Sequence, residues 1–172
     1  MLLVWAVVVG ASPLTGCGAG GGSFEAGVYH GSSVDYALPP PGDGWRRIDV
    51  GEGQNDVAWS HDGLASVIQV NSSCSPELDI PLEALTNHLL IGFTEREYKE
   101  EKRVPMAARE ALRTHVVAKL DGVPREMVFV VLKKDECVYD FALISPPDDR
   151  FTRAERAYEH MLDGFETRER HR

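Results

Sequence analysis

The sequence predicts an α+β domain: one antiparallel β-sheet of about six to seven strands with two main helices packed on it, in the order βββαββββα. Three observations carry that expectation. Apolar and polar side chains alternate between Gly/Asp turn signals, as where Leu112, Thr114, Val116, Ala118 and Leu120 interleave with Arg113, His115 and Lys119. Two stretches, after Pro81 and after Asp148-Asp149, place apolar residues at helical spacing. Residues 127–132 are apolar on both faces, which suits a central strand covered from both sides.

Each element has its own signal. Residues 45–50 form a short strand, and residues 57–60 and 64–71 flank His61-Asp62-Gly63, a hairpin signal. Pro81 fits the first turn of a helix. Leu82, Leu85 and Leu89 then mark a buried stripe that ends near Gly92. Residues 98–104 are charged and stop at Pro105, as an edge strand does. Asp121-Gly122 turns the alternating strand into the central one, and Lys134-Asp135 turns that into residues 137–144. The last helix opens on two acids, which complement the partial positive charge of a helix N-terminus. Phe151, Ala154, Tyr158, Met161, Leu162 and Phe165 make its core-facing stripe.

Ahead of this domain the chain has a different character. Residues 2–11 (LLVWAVVVGA) are apolar and uncharged, too short for a membrane-spanning helix and of the length of a secretory signal core. Leu14-Thr15-Gly16-Cys17 follows, an aliphatic residue and two small ones before a cysteine, and it resembles the lipobox of bacterial lipoproteins. That resemblance implies removal of residues 1–16, acylation of the Cys17 thiol and anchorage in a membrane of the cell envelope. No Lys or Arg precedes the apolar run, a departure from the usual charged leader. Gly18 after Cys17, in place of an Asp retention signal, points to the periplasmic face of the outer membrane in a two-membrane cell. Residues 17–44, rich in Gly, Ser and Pro, read as a lipidated Cys and flexible tether reaching roughly 30 Å. Residues 45–167 read as the single domain and 168–172 as a charged tail.

The balance of 18 Lys and Arg against 27 Asp and Glu gives a formal charge of −9. Such a surface repels nucleic-acid phosphates, so nucleic acid is not an expected partner. Catalytic and metal signatures are missing. The six histidines form neither H-E-x-x-H nor H-x-H, and no C-x-x-C, G-x-S-x-G elbow or phosphate loop occurs. Gly16 to Gly21 spells G-x-G-x-x-G but straddles the cleavage point outside any βαβ unit. No cofactor, metal site or catalytic residue is therefore expected. If Cys17 is acylated, Cys74 and Cys137 remain as a pair in an oxidising compartment, and a disulfide between them is expected; two separate buried thiols are the alternative. Arg109, Arg113, His115 and Lys119 share one strand face by alternation. They offer an anion- or partner-binding surface, or else a solvated face paired with neighbouring acids. Trp45 and Trp59 either line a pocket or pack in the core.

The element order from Trp45 to Phe165 resembles the PsbP-like fold group, which includes DcrB-type bacterial envelope lipoproteins. Tyr139-Asp140-Phe141-Ala142-Leu143-Ile144-Ser145, then Pro146-Pro147 and a helix ending Leu162-Asp163-Gly164-Phe165, is similar to that group's C-terminus. The resemblance implies a non-enzymatic binding or assembly module of the envelope, anchored to the membrane through Cys17, with an envelope protein as partner. A carrier of a small ligand in a cavity between helix and sheet and a small hydrolase are the alternative readings. The anchor makes the first testable claim. Cys17→Ala should block processing and shift the protein out of the detergent phase, because the thiol is where the acyl chains attach. Unchanged partitioning would refute it.

Overall fold

The computed structural model describes residues 22–49 and 56–168. Three short strands open the chain: β1 (Ser23–Glu25), β2 (Val28–His30) and β3 (Asp35–Ala37). Then come β4 (Arg46–Ile48), β5 (Val57–His61), β6 (Ser66–Ser73), α1 (Leu82–Leu89), β7 (Phe93–Met106), β8 (Arg109–Leu120), β9 (Val123–Lys134), β10 (Cys137–Ser145), α2 (Asp149–Asp163) and β11 (Glu166–Arg168). From β4 to α2 this is the order the sequence predicts.

Those seven strands make one antiparallel sheet, ordered β4-β5-β6-β10-β9-β8-β7. The two helices lie on opposite faces of it. Helix α1 packs on β8 and β9, where Leu82 and Leu85 meet Leu112, Val131 and Val138. Helix α2 packs on β6 and β10, where Phe151, Ala154, Tyr158 and Met161 meet Ile68, Phe141 and Leu143. Residues 127–132 of β9 are buried on both faces because each face carries a helix layer. The termini of α2 follow from local chemistry. The Asp148 carboxylate accepts the Arg150 N–H as an N-cap, and Gly164 closes the last turn.

Strand β7 runs past the expected stop. Pro105 lies inside it, opposite Glu110, because β7 is the sheet edge and the missing N–H is not needed there. Its charged side chains blunt that edge against pairing with another chain. The expected turn at His61-Asp62-Gly63 is a 3-10 turn over Asp62–Leu64, capped by His61 Nδ1 accepting the Leu64 N–H.

The expected domain bounds differ from the structure. Residues 22–44, read as flexible tether, are part of the fold, which therefore starts before Trp45. Strands β1, β2 and β3 pair with β11 in a second, four-stranded sheet ordered β1-β2-β3-β11. Arg168, assigned to a charged tail, belongs to β11. The Gly/Ser/Pro composition masked four apolar side chains, Tyr29, Val34, Tyr36 and Leu38, that enter the main core. Tyr36 is 0% exposed and Leu38 1%. Tyr29 stacks on Tyr36 at 5.0 Å, Tyr36 meets Phe165 at 5.6 Å, and Phe24 packs edge-on against Trp59 at 5.5 Å. Tyr36→Ala should thus cost about 3–5 kcal/mol in chemical denaturation, the range for emptying a buried aromatic site. A loss below about 0.5 kcal/mol, the range of surface substitutions, would return this segment to the status of a tether.

Candidate functional site

The concave surface that gathers the most chemistry lies at one end of the sheet, where β6 stops and β9 turns into β10. Cys74, one residue past β6, is bonded to Cys137 at the start of β10, with the Cα atoms 4.1 Å apart. The bridge expected from cysteine parity is present, and its Cα atoms are slightly nearer than the usual 4.4–6.8 Å. It closes a separation of 63 residues, for which loop entropy alone gives about 4 kcal/mol. Beside it opens a cleft of about 540 Å³, with Leu78, Pro76 and Val138 as apolar wall and Arg109, Lys133, Lys134, Asp79, Asp135 and Glu136 as charged rim.

The rim is conformationally unusual. Asp135 and Glu136, the two loop residues between β9 and β10, have φ of 53° and 62°. Ala107 and Ala108, which join β7 to β8, have 48° and 60°. Two-residue hairpins need this left-handed backbone, and Asn-Gly or Asp-Gly is the unstrained way to supply it. Asp121-Gly122, at the opposite end of the sheet, follows that rule, with φ of 50° and 79°. At the disulfide end four non-glycine residues hold the conformation, each at a cost of about 1–2 kcal/mol. Lys134 Nζ ties the two turns together by donating to the Ala107 carbonyl at 2.9 Å.

Next to this end a carboxylate is half-buried under aromatic residues. Asp56 accepts hydrogen bonds from the Tyr36 hydroxyl at 3.1 Å and from the Ser72 hydroxyl, and Tyr29 reaches the same carboxylate. Burial pushes the Asp56 carboxyl above its ordinary range while the three hydroxyls pull it back. Burial and the Asp56 charge raise the Tyr29 hydroxyl to about 12, and Tyr36 shifts in the same direction. Asp56 is a saturated acceptor that pins the second sheet to the first.

The four cationic residues singled out on one strand face are not one surface. Arg113 lies under α2, 12% exposed at its side chain, and bonds Glu155 at 2.7 Å, Glu100 at 3.0 Å and Glu159 at 3.1 Å. His115 stacks on Phe151 and meets Glu126 at 2.9 Å, while Lys119 pairs with Glu95 at 2.7 Å. Helix α2 covers much of this face, and the carboxylates already occupy its cations. Arg109, at the far end of β8, has no carboxylate partner among the described residues and joins the disulfide cleft instead. Trp59 is buried in the core; Trp45 is half-buried and, with His61 and Arg153, lines a shallower groove of about 300 Å³. Cys17 lies outside the described residues. Among the described residues no group of three or more His, Cys, Asp or Glu side chains is placed to hold a metal ion. No described helix is long and apolar enough to cross a membrane.

Sequence reasoning missed Lys134, Asp135 and Glu136 as a site, and Asp56 with Tyr36. The first had a readable signal, a charged Asp-Glu pair where the hairpin calls for Asn-Gly. The second had none, since only the fold brings residues 36, 56 and 72 together.

No family model matches the chain, and no curated protein matches it. Solved structures are similar in fold. The solution structure of cyanobacterial PsbP (CyanoP) from Synechocystis sp. PCC 6803 aligns with a TM-score of 0.56 at 15% identity, over 93% of this chain and 99% of that one. LpqN of Mycobacterium tuberculosis, a protein involved in cell envelope biogenesis, aligns at 0.56 and 13% identity, over 81% and 88%. At these identities the likeness carries the fold, which is PsbP-like.

One titratable group outside the cleft makes a pH prediction. Asp140 on β10 faces the α1 side of the sheet, and its Oδ1 has no hydrogen-bond partner among the described residues. Burial raises its carboxyl to about 6, against an opposing hydrogen bond from Asn71. The folded state thus holds a proton that the unfolded chain has already released. Stability contributed by this group is present below about pH 4 and is lost as pH rises to about 6. Asp140→Asn should flatten that fall and stabilise the domain at pH 7 by up to about 3 kcal/mol. Parallel pH–stability curves for the two proteins would contradict this.

Proposed function

We propose that this chain is exported, anchored in a cell-envelope membrane by acyl chains on Cys17, and serves as a non-enzymatic binding or assembly module whose recognition surface is the disulfide-end cleft. The observation that carries this reading is the strained rim. Asp135 and Glu136 keep a left-handed backbone that glycine would relieve, and both line a concave surface stapled by a disulfide, with the equally strained Ala107-Ala108 turn tied to it through Lys134. Strain of this kind persists where a site needs a side chain more than it needs stability.

The cleft is furnished for binding rather than turnover. Ser75 is its hydroxyl among the described lining residues, and that oxygen accepts the Glu77 N–H at 3.4 Å as a turn cap. No histidine lines the cleft to activate it. The lipobox and the likeness to LpqN, whose own role is in envelope biogenesis, support an envelope setting.

A photo-crosslinking residue at Glu77, beside the cleft, should yield a discrete adduct in native membranes, whereas one at Asp121 at the other end of the sheet should not. Asp135→Asn with Glu136→Gly relieves the turn and should stabilise the domain by about 1–2 kcal/mol. The same change should remove the adduct. An adduct unaffected by that pair, or none from Glu77, would overturn the assignment.

A further inference from the structure

The order found in residues 22–38 changes where the domain can stand. The acyl-bearing residue of the reading above is Cys17. The first described residue is Gly22, packed so closely on Tyr29 that a side chain there would collide with the Tyr29 ring and come within 2.6 Å of the His30 carbonyl oxygen. Ser23 is already paired with His30. Between Cys17 and Gly22 lie the four residues Gly18-Ala19-Gly20-Gly21. Five Cα-to-Cα steps reach at most about 18 Å when fully extended. This is a short leash, in place of a coil that could carry the domain clear of the surface.

The leash also fixes which end faces the surface. Gly22 touches Tyr29, and Tyr29 reaches Asp56, which bonds Ser72. Ser72 is two residues from the bridged Cys74. The leash thus leaves the fold at the disulfide end of the sheet. The opposite end, with the Asp121-Gly122 turn and the exposed side chains of Ile91, Leu120 and Val123, lies a full strand away. Strand β9 separates them by 12 residues, about 40 Å at 3.3 Å each.

In a chain of net charge −9, the rim of the cleft balances Arg109, Lys133 and Lys134 against Asp79, Asp135 and Glu136. Strand β7 is balanced too, its Glu95, Glu97, Glu100 and Glu101 matched by Arg96, Lys99, Lys102 and Arg103. An anionic headgroup layer tolerates such a balanced rim.

We propose that the disulfide end of the domain lies against the bilayer that holds the Cys17 acyl chains, so that the cleft opens at headgroup level and the Leu120–Val123 tip points away. The inference rests on the lipid-anchor reading. It restricts any partner to one presented in the plane of that membrane.

The test uses acylated full-length protein in phosphatidylcholine–phosphatidylglycerol vesicles carrying an acceptor dye on a headgroup. A donor dye is attached through a bioorthogonal residue at Glu136 or at Asp121, both exposed. Energy transfer should be several-fold stronger from Glu136. Inserting a Gly/Ser segment of about 20 residues after Gly20 should erase the difference, because the leash becomes a coil. Equal transfer from the two sites in the natural chain, or stronger transfer from Asp121, would overturn the orientation while leaving the anchor intact. Mass spectrometry of the same preparation distinguishes the other failure. An unacylated N-terminus would overturn the anchor itself, and the orientation with it.

Discussion

The stack of Tyr29 on Tyr36, wedged against Tyr139 and Phe165, is the contact on which the rest of this structure depends. It joins three parts of the chain that sequence separates widely: the opening strands, the central strand β10, and the residue that follows α2. Tyr36 is the pivot, since its ring fills the core and its hydroxyl donates to the half-buried Asp56. A buried tyrosine needs such a partner, and a buried carboxylate needs several donors. Aromatic burial and polar satisfaction are met by one arrangement, in which neither group can move without exposing the other.

The helices are held by a different balance on each face. Helix α1 is bound by apolar contact in its cluster and by one exposed ion pair, Glu83 with Arg103 of β7. Helix α2 combines an apolar stripe with two polar ties: Tyr158 donates to the Phe141 carbonyl at 3.0 Å, and Arg113 reaches Glu155 and Glu159. Arg113 is largely withdrawn from water, so its carboxylates compensate a charge that would otherwise be costly to bury. They orient α2 over β8 and leave no free cation on that part of the face. Two adjacent turns at the disulfide end hold four of the eight described non-glycine residues with positive φ, and there the covalent staple and the Lys134 bond to Ala107 restrain them.

Much of this was legible in the chain. Period-two alternation marked β8, the two-faced apolar run marked β9, Asp148-Asp149 marked the start of α2, and cysteine parity marked the bridge. These signals are local or combinatorial, so a sequence displays them directly. The second sheet was not legible. Its strands are three residues each, too short for periodicity, and they are embedded in Gly, Ser and Pro that read as linker. Strand β11 gave no pattern of its own and exists because β3 is there to pair with it. The cleft was partly legible through Cys74, Cys137 and Arg109. Its strained rim depends on backbone angles, which a residue list does not contain. The shared-face reading of Arg113, His115 and Lys119 failed to foresee α2 above them, because alternation assigns a face without saying what covers it.

The account stands on residues 22–38 being folded onto the sheet, since the leash length and the exit point of the anchor both follow from it. Hydrogen exchange of the acylated protein at single-residue resolution tests this most directly. The amides of Leu38, which donates to the Gly27 carbonyl at 2.8 Å, and Gly31, which donates to Val34 at 2.8 Å, should exchange far more slowly than an open chain. So should those in the β2–β3 ladder. Exchange at open-chain rates through this segment, with β9 and β10 still protected, would contradict the account.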